Sequence, residues 1–113
     1  MCSDAYSFPG RATPTWTSNL LNLYLSSIDA FLKYDNVLAF NIGNEVVIDT
    51  NSTVSAPFIK AAARDIKAYL KSKSSSALVG YASTDGAGWR DPLAAYLTCN
   101  SADTSIDLWG LND

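Results

Sequence analysis

Apolar residues fall into two rhythms along this chain. From Ser18 on, Leu20, Leu21, Tyr24, Leu25, Ile28, Phe31 and Leu32 recur at the spacing of one helical face, while Asn22, Ser26, Asp29 and Lys33 take the other. Thr17 or Ser18 is the expected N-cap, and Asp35-Asn36 is turn chemistry that ends this helix near Tyr34. The same spacing returns in Phe58, Ile59, Ala62, Ala63, Ile66, Tyr69 and Leu70, with Lys60, Arg64, Lys67 and Lys71 on the wet side. Ser55 is the expected cap of this second helix, with Pro57 tolerated in its first turn. The spacing predicts a third, shorter helix over residues 90–98.

Between the helices lie three short runs without alternation, at 37–42 (VLAFNI), 77–82 (ALVGYA) and 106–111 (IDLWGL). Runs apolar on both sides suit strands covered on both faces, as in a parallel sheet. Residues 49–55, the serine run 72–76 and the Gly-containing stretch 83–89 read as loops, and residues 1–17 as an irregular segment with turn chemistry at Pro9-Gly10 and Thr13-Pro14. Helix and strand alternate three times, which predicts an α/β fold with a parallel sheet. Strands beginning about every 30–40 residues suit a (β/α)8 barrel or a short doubly wound domain. Three parallel strands leave two open apolar edges, a liability for an isolated domain. The expected organisation is therefore an irregular segment over 1–17, followed over 18–113 by part of a larger α/β domain or a very small open one.

Composition narrows the chemistry. The chain has 113 residues, 48 % of them hydrophobic, enough for a packed core. The net charge of −3 with no basic patch argues against nucleic acid as a partner. No run reaches the length of a membrane span, and the first residues do not read as a secretory signal. Histidine is absent, which removes Ser-His and Cys-His nucleophile pairs and His-ligated metal within these residues. No metal or cofactor is expected. Cys2 and Cys99 are too few for a four-ligand site, and their pairing stays open. Acid-base chemistry falls to carboxylates.

The first predicted strand runs into Asn41-Ile42-Gly43-Asn44-Glu45-Val46. In parallel α/β folds, catalytic groups project from the C-terminal ends of strands, where Asn44 and Glu45 stand. A carboxyl there can give a proton to a leaving oxygen and take one from the incoming nucleophile, while an adjacent amide holds a sugar hydroxyl. The structural alternative is that both side chains only satisfy loop backbone groups. Asp49, Asp85, Asp91, Asp103, Asp107 and Asp113 are the other carboxylates considered. Asp107 is read as lying inside a strand, Asp91 as opening a helix, and Asp85 as standing on the same rim as Glu45. Tyr81 and Trp89 could stack on sugar rings, although packing is the commoner use of such rings. Asn51-Ser52-Thr53 is an N-glycosylation sequon.

Five blocks in order carry a resemblance: IDAFLKYDNVLAFNIGNEVV (28–47), FIKAAARDIKAYL (58–70), LVGYAS (78–83), AAYLTC (94–99) and DLWGLN (107–112). From about Thr15 to Asn112 the chain resembles glycoside hydrolase family 72, the fungal β-1,3-glucanosyltransferases of the cell wall. The resemblance implies a partial (β/α)8 TIM barrel, about strands four to six, with Glu45 as acid/base and Asn44 as its substrate-binding neighbour. Asn112 would line the sugar site. The implied partners are β-1,3-glucan donor and acceptor chains, cleaved and elongated with retention of configuration. The resemblance also implies a secreted protein held at the plasma membrane and cell wall by a GPI anchor outside these residues, which would give the Asn51 sequon meaning. The family's nucleophile Glu would fall downstream of Asp113, and Cys99 matches a cysteine whose disulfide partner lies further along the family chain. A polypeptide of these residues alone is accordingly expected to be inactive. The alternatives are a non-catalytic glucan-binding or scaffolding remnant, and an unrelated three-stranded α/β domain.

Overall fold

The computed structural model describes residues 14–112. Most of the irregular segment expected over 1–17 lies outside them, as do Cys2 and Asp113. The elements alternate as predicted: α1 (Ser18–Leu32), β1 (Ala39–Asn44), α2 (Ala56–Ser72), β2 (Leu78–Thr84), α3 (Arg90–Thr98) and β3 (Leu108–Asn112), with a 3-10 turn, Asn51–Ser55, ahead of α2. Thr17 caps α1, its hydroxyl accepting from the Leu20 amide at 3.2 Å. Ser55 occupies the N-cap position of α2 but in helical geometry and without a capping side-chain bond, because the 3-10 turn feeds directly into the helix. No helix among the described residues is long and apolar enough to cross a membrane.

The three strands are parallel and lie in chain order, β1-β2-β3. Successive crossovers of one hand, moving in one direction across a sheet, put every helix on the same face. A doubly wound sheet instead reverses direction at a switch point and covers both faces. The burial pattern is one-sided. Phe40, Ile42, Val79 and Tyr81 join Tyr24, Ile28, Ile59, Ala62, Ala63 and Ile66 in one core on the helical side. On the other side Asn41, Leu108, Gly110 and Asn112 are exposed, and only the central Gly80 and Ala82 are buried.

Several elements depart from expectation. Each strand begins one or two residues later than its apolar run, so Val37 and Leu38 precede the ladder, with Leu38 73 % exposed. Phe31, expected on the core face of the first helix, is 53 % exposed near the end of α1, where it lines an open cleft with Val37, Ala39 and Phe40. Asp107 stands just ahead of β3 rather than within it, and clamps the strand's entry. Its amide donates to the Val79 carbonyl, and its carboxylate accepts from the Val79 amide at 2.9 Å and from Lys67 Nζ at 2.8 Å. Lys60 and Lys67 are not simply wet. Lys60 Nζ donates to the carbonyls of Tyr96 and Cys99 at the end of α3, and Lys67 to that of Ala102, so α2 is tied to the segment leading into β3. Complementing the last carbonyls of a helix with a cation is favourable.

Candidate functional site at the C-terminal rim of the sheet

The rim is shaped first by an irregularity in β1. Asn41 pairs with Gly80 but Asn44 pairs with Ala82, so three steps along β1 match two along β2. This bulge reverses the alternation. Phe40 and Ile42 face the helices, and a regular strand would send Asn44 after them. Instead Asn44 turns to the open face, where it meets Asn112. Gly43 makes the bulge possible: a Cβ there would stand 3.2 Å from both the Tyr81 ring and Val46 Cγ2.

The chain then bends sharply. Glu45 adopts φ 52°, the left-handed region that costs a residue with a side chain about 1–2 kcal/mol. Its amide still donates to the Ala82 carbonyl at 2.8 Å, extending the ladder by one bond. Val46 and Val47 plunge to full burial, and the hydroxyl of Tyr81 accepts from both their amides at 3.1 Å each. Beneath the strand, Tyr24 of α1 donates its hydroxyl to the Ile42 carbonyl at 2.6 Å. Further along, Thr84 Oγ1 donates to the Val47 carbonyl at 3.1 Å and accepts from Trp89 Nε1 at 3.2 Å. The next turn closes on itself: Ser52 Oγ accepts from the amides of Ile48 and Asp49, and the Asp49 carboxylate accepts from the Ser52 amide.

Asn112, the last residue of β3, reaches across the central strand. Its Nδ2 donates to Asn44 Oδ1 and to Glu45 Oε1, each at 2.9 Å. On the central strand Asn112 stands in register with Thr84 and Asn44 with Ala82, so the amide reaches back along the sheet as well as across it. The structure thus gathers Asn44, Glu45 and Asn112, singled out separately in the sequence, into one hydrogen-bonded cluster on the open face. Glu45 is half-buried and the two amides are exposed. Glu45 is also the sole glutamate of the sequence. A carboxyl held at a rim can exchange a proton with an oxygen arriving from the open side, and flanking amides offer donor and acceptor atoms to hydroxyls.

Other candidates separate from this cluster. Asp85, on the loop after β2, accepts from Arg90 at 2.6 Å. The Arg90 guanidinium is held above its ordinary value by hydrogen bonds first to Asp91 and then to Asp85, and Arg90 in turn draws the Asp91 carboxyl below its usual range. Tyr81 is fully buried against Trp109, with ring centroids 5.7 Å apart, and offers no face to a sugar. Trp89 is half-buried near the rim. Asn51 is exposed at the start of the 3-10 turn, with the intervening Ser52 buried. Cys99 is a free, exposed thiol whose Sγ lies 3.0 Å from Lys60 Nζ. The supports that sequence reasoning did not assign are Tyr24, Tyr81 and Thr84. The available signal was a phenol inside an apolar run, since a buried tyrosine hydroxyl must find a partner.

Comparison with known proteins places this rim in context. A family model described as Glucanosyltransferase, glycoside hydrolase family 72, matches residues 4–113, reaching upstream of the Thr15 at which the resemblance was drawn. The chain is 40 % identical over 108 residues to the 1,3-beta-glucanosyltransferase gas1 of Schizosaccharomyces pombe, the match covering 95 % of this chain and 20 % of that protein. It is 43 % identical over 103 residues to a 1,3-beta-glucanosyltransferase of Arthroderma benhamiae, covering 90 % of this chain and 19 % of that one. Among solved structures it is similar to Saccharomyces cerevisiae Gas2p in complex with laminaripentaose, at a TM-score of 0.85 and 38 % identity over 91 % of this chain and 23 % of the other. A Gas2p point mutant in complex with laminaritetraose and laminaripentaose gives a TM-score of 0.88 at 36 % identity, over 96 % of this chain and 24 % of that one. The chain spans about a fifth of the length of the curated relatives it matches.

Proposed function

Because the chain belongs to the glucanosyltransferases of glycoside hydrolase family 72, we propose that its three βα units are consecutive units of a (β/α)8 catalytic barrel, about strands four to six, and that Glu45 is the acid/base of a retaining transfer between β-1,3-glucan chains. The observation that carries this reading is the cluster of Asn112, Asn44 and Glu45 at the C-terminal ends of β3 and β1. The sequential sheet with helices on one face supports it, because the bare face is the one a barrel turns inward. Relatives solved with laminaripentaose support β-1,3-glucan as substrate.

In this reading Glu45 protonates the glycosidic oxygen as the donor glucan is cleaved, then takes a proton from the acceptor hydroxyl as the new linkage forms. Asn44 and Asn112 hold sugar hydroxyls and the carboxyl in one frame. The covalent route also needs a second carboxyl about 5–5.5 Å from the first, as nucleophile. Of the rim aspartates, Asp49 is bound to the Ser52 amide and Asp85 to Arg90, and we assign the nucleophile to neither. A polypeptide of these 113 residues alone is therefore expected not to turn over. The cell-surface, GPI-anchored setting, with Asn51 as a glycan acceptor, is extended to this protein from the family alone.

The test is Glu45→Gln in the longer enzyme that contains these residues. Transfer between laminarioligosaccharides should fall by about 10²–10⁴-fold. A β-laminarioligosyl fluoride, whose leaving group departs without a proton, should still load the enzyme. Equal loss with both donors, or undiminished transfer, would overturn the assignment. Glucan retention by an unaltered enzyme that performs no transfer would hand the site to the binding reading, which the two exposed amides favour.

A further inference from the structure

The assigned chemistry uses the side chain of Glu45 but leaves unexplained what keeps its backbone in the left-handed region. The usual device for such a turn is a glycine or local capping bonds. Here the position carries a glutamate, and the bonds that follow it come from far away in the chain. Val46 and Val47 are fully buried, so their amides cannot turn to water, and an orphaned buried amide costs about 1–3 kcal/mol. Both point at a single oxygen, the Tyr81 hydroxyl, 35 and 34 residues distant in sequence. The Tyr81 ring is itself packed on all sides. It is fully buried, tilted against Trp109, and so close to Gly43 that no Cβ fits between them without displacement.

We propose that Tyr81 is a positioning residue for Glu45: its hydroxyl gathers the two amides that follow the glutamate and thereby fixes the left-handed turn that aims the carboxyl at the open face. One oxygen accepting two successive amides sets the direction of the peptide planes after Glu45. The Glu45 amide is bonded to the Ala82 carbonyl on the neighbouring residue of the same strand. Tyr81 and Ala82 thus hold the glutamate from both sides, and the reactive group is located by β2 although it belongs to β1. This inference rests on the acid/base reading of Glu45, and its test separates the two.

The variant is Tyr81→Phe in the longer enzyme, which keeps the ring and removes the hydroxyl that accepts from both amides. Amide hydrogen exchange should accelerate about tenfold or more at Val46 and Val47, with the amides of Ile42 and Val79 unaffected. The turnover number should fall about tenfold to a hundredfold, because a displacement near 1 Å is enough to do so. KM should hardly move, since the sugar contacts of Asn44 and Asn112 are retained. The limb of the pH–rate profile that belongs to the proton donor should shift. Ile66→Val, a loss in the same core away from the turn, should change none of these readouts. Unchanged protection at Val46 and Val47, or an unchanged turnover number and pH profile in Tyr81→Phe, overturns the proposal. If the unaltered enzyme transfers no glucan, the acid/base reading falls. The exchange result then decides by itself: localised deprotection upholds Tyr81 as the fixing group, and its absence removes it.

Discussion

Glu45 and Ser74 share a backbone conformation and little else. Both carry side chains in the left-handed region, at φ 52° and 55°. At Ser74 everything needed is within five residues. The Ser74 amide donates to the Lys71 carbonyl and the Ser75 amide to that of Leu70, the paired bonds of a Schellman ending, and the residue is exposed. At Glu45 the bonds that follow the turn come from far along the chain. A phenol from the next strand, a bulge and a glycine tight against the Tyr81 ring and Val46 are all recruited. A turn that only ends a helix can be built from its own helix. The turn at Glu45 is held instead by the rest of the fold, which is the arrangement the proposed role of its carboxyl requires.

The sharpest way to break this contrast is Gly43→Val. Its Cβ would meet the Tyr81 ring and Val46 at 3.2 Å, so the Glu45 turn should be lost together with about 1–3 kcal/mol of stability, read from chemical denaturation. A smaller effect of opposite sign is expected on the other side of the comparison. Ser74→Gly relieves left-handed strain without touching any distant residue, and should raise stability by about 0.5–1 kcal/mol, visible as a higher melting temperature. The smallest effect is electrostatic. Burial opposes ionisation of Asp65, but hydrogen bonds from Arg64 and from Trp16 Nε1 outweigh it and leave the carboxyl below its ordinary range. A depressed carboxyl stabilises the fold above its unfolded pKa, near 3.9, and that stabilisation is lost as pH falls through the lower folded value. Asp65→Asn should abolish this acid-side slope in urea midpoints, at a cost below about 1 kcal/mol because water screens the Arg64 pair.

The same contrast explains what could be read from the sequence. Local chemistry was legible. The apolar spacing located the three α-helices of the described residues, with Arg90–Thr98 at its predicted bounds, and of the two expected caps for the first, Thr17 and Ser18, the structure uses Thr17. Asn44, Glu45 and Asn112 stand at or just past strand ends, the positions to which the parallel-sheet reading and the resemblance both point, and the structure brings the three together. What escaped was non-local. The strand starts escape because Val37 and Leu38 are apolar yet precede the first residue pair, Ala39 with Leu78, Leu38 joining β2 only through its carbonyl. Tyr81 was considered for a sugar face because its hydroxyl's partners, the Val46 and Val47 amides, lie more than 30 residues away. The bulge in β1 is marked in the sequence only by Gly43, and it becomes visible in the register that pairs Asn41 with Gly80 but Asn44 with Ala82. Lys60 and Lys67 read as solvated because the carbonyls that they bind, those of Tyr96, Cys99 and Ala102, lie 35 or more residues away, at and beyond the end of the next helix.

Asn112 donates from one nitrogen to two acceptors that precede it by 68 and 67 residues. That bond pair works as an assembly check. A slip of β3 by a single residue would turn its side chain toward the helices, and an unformed β1 bulge would do the same to Asn44. The cluster therefore closes only when three strands and two crossovers have all settled in the correct register, and it should be among the last features to form during folding. A chain that has folded almost correctly holds its glutamate unclasped.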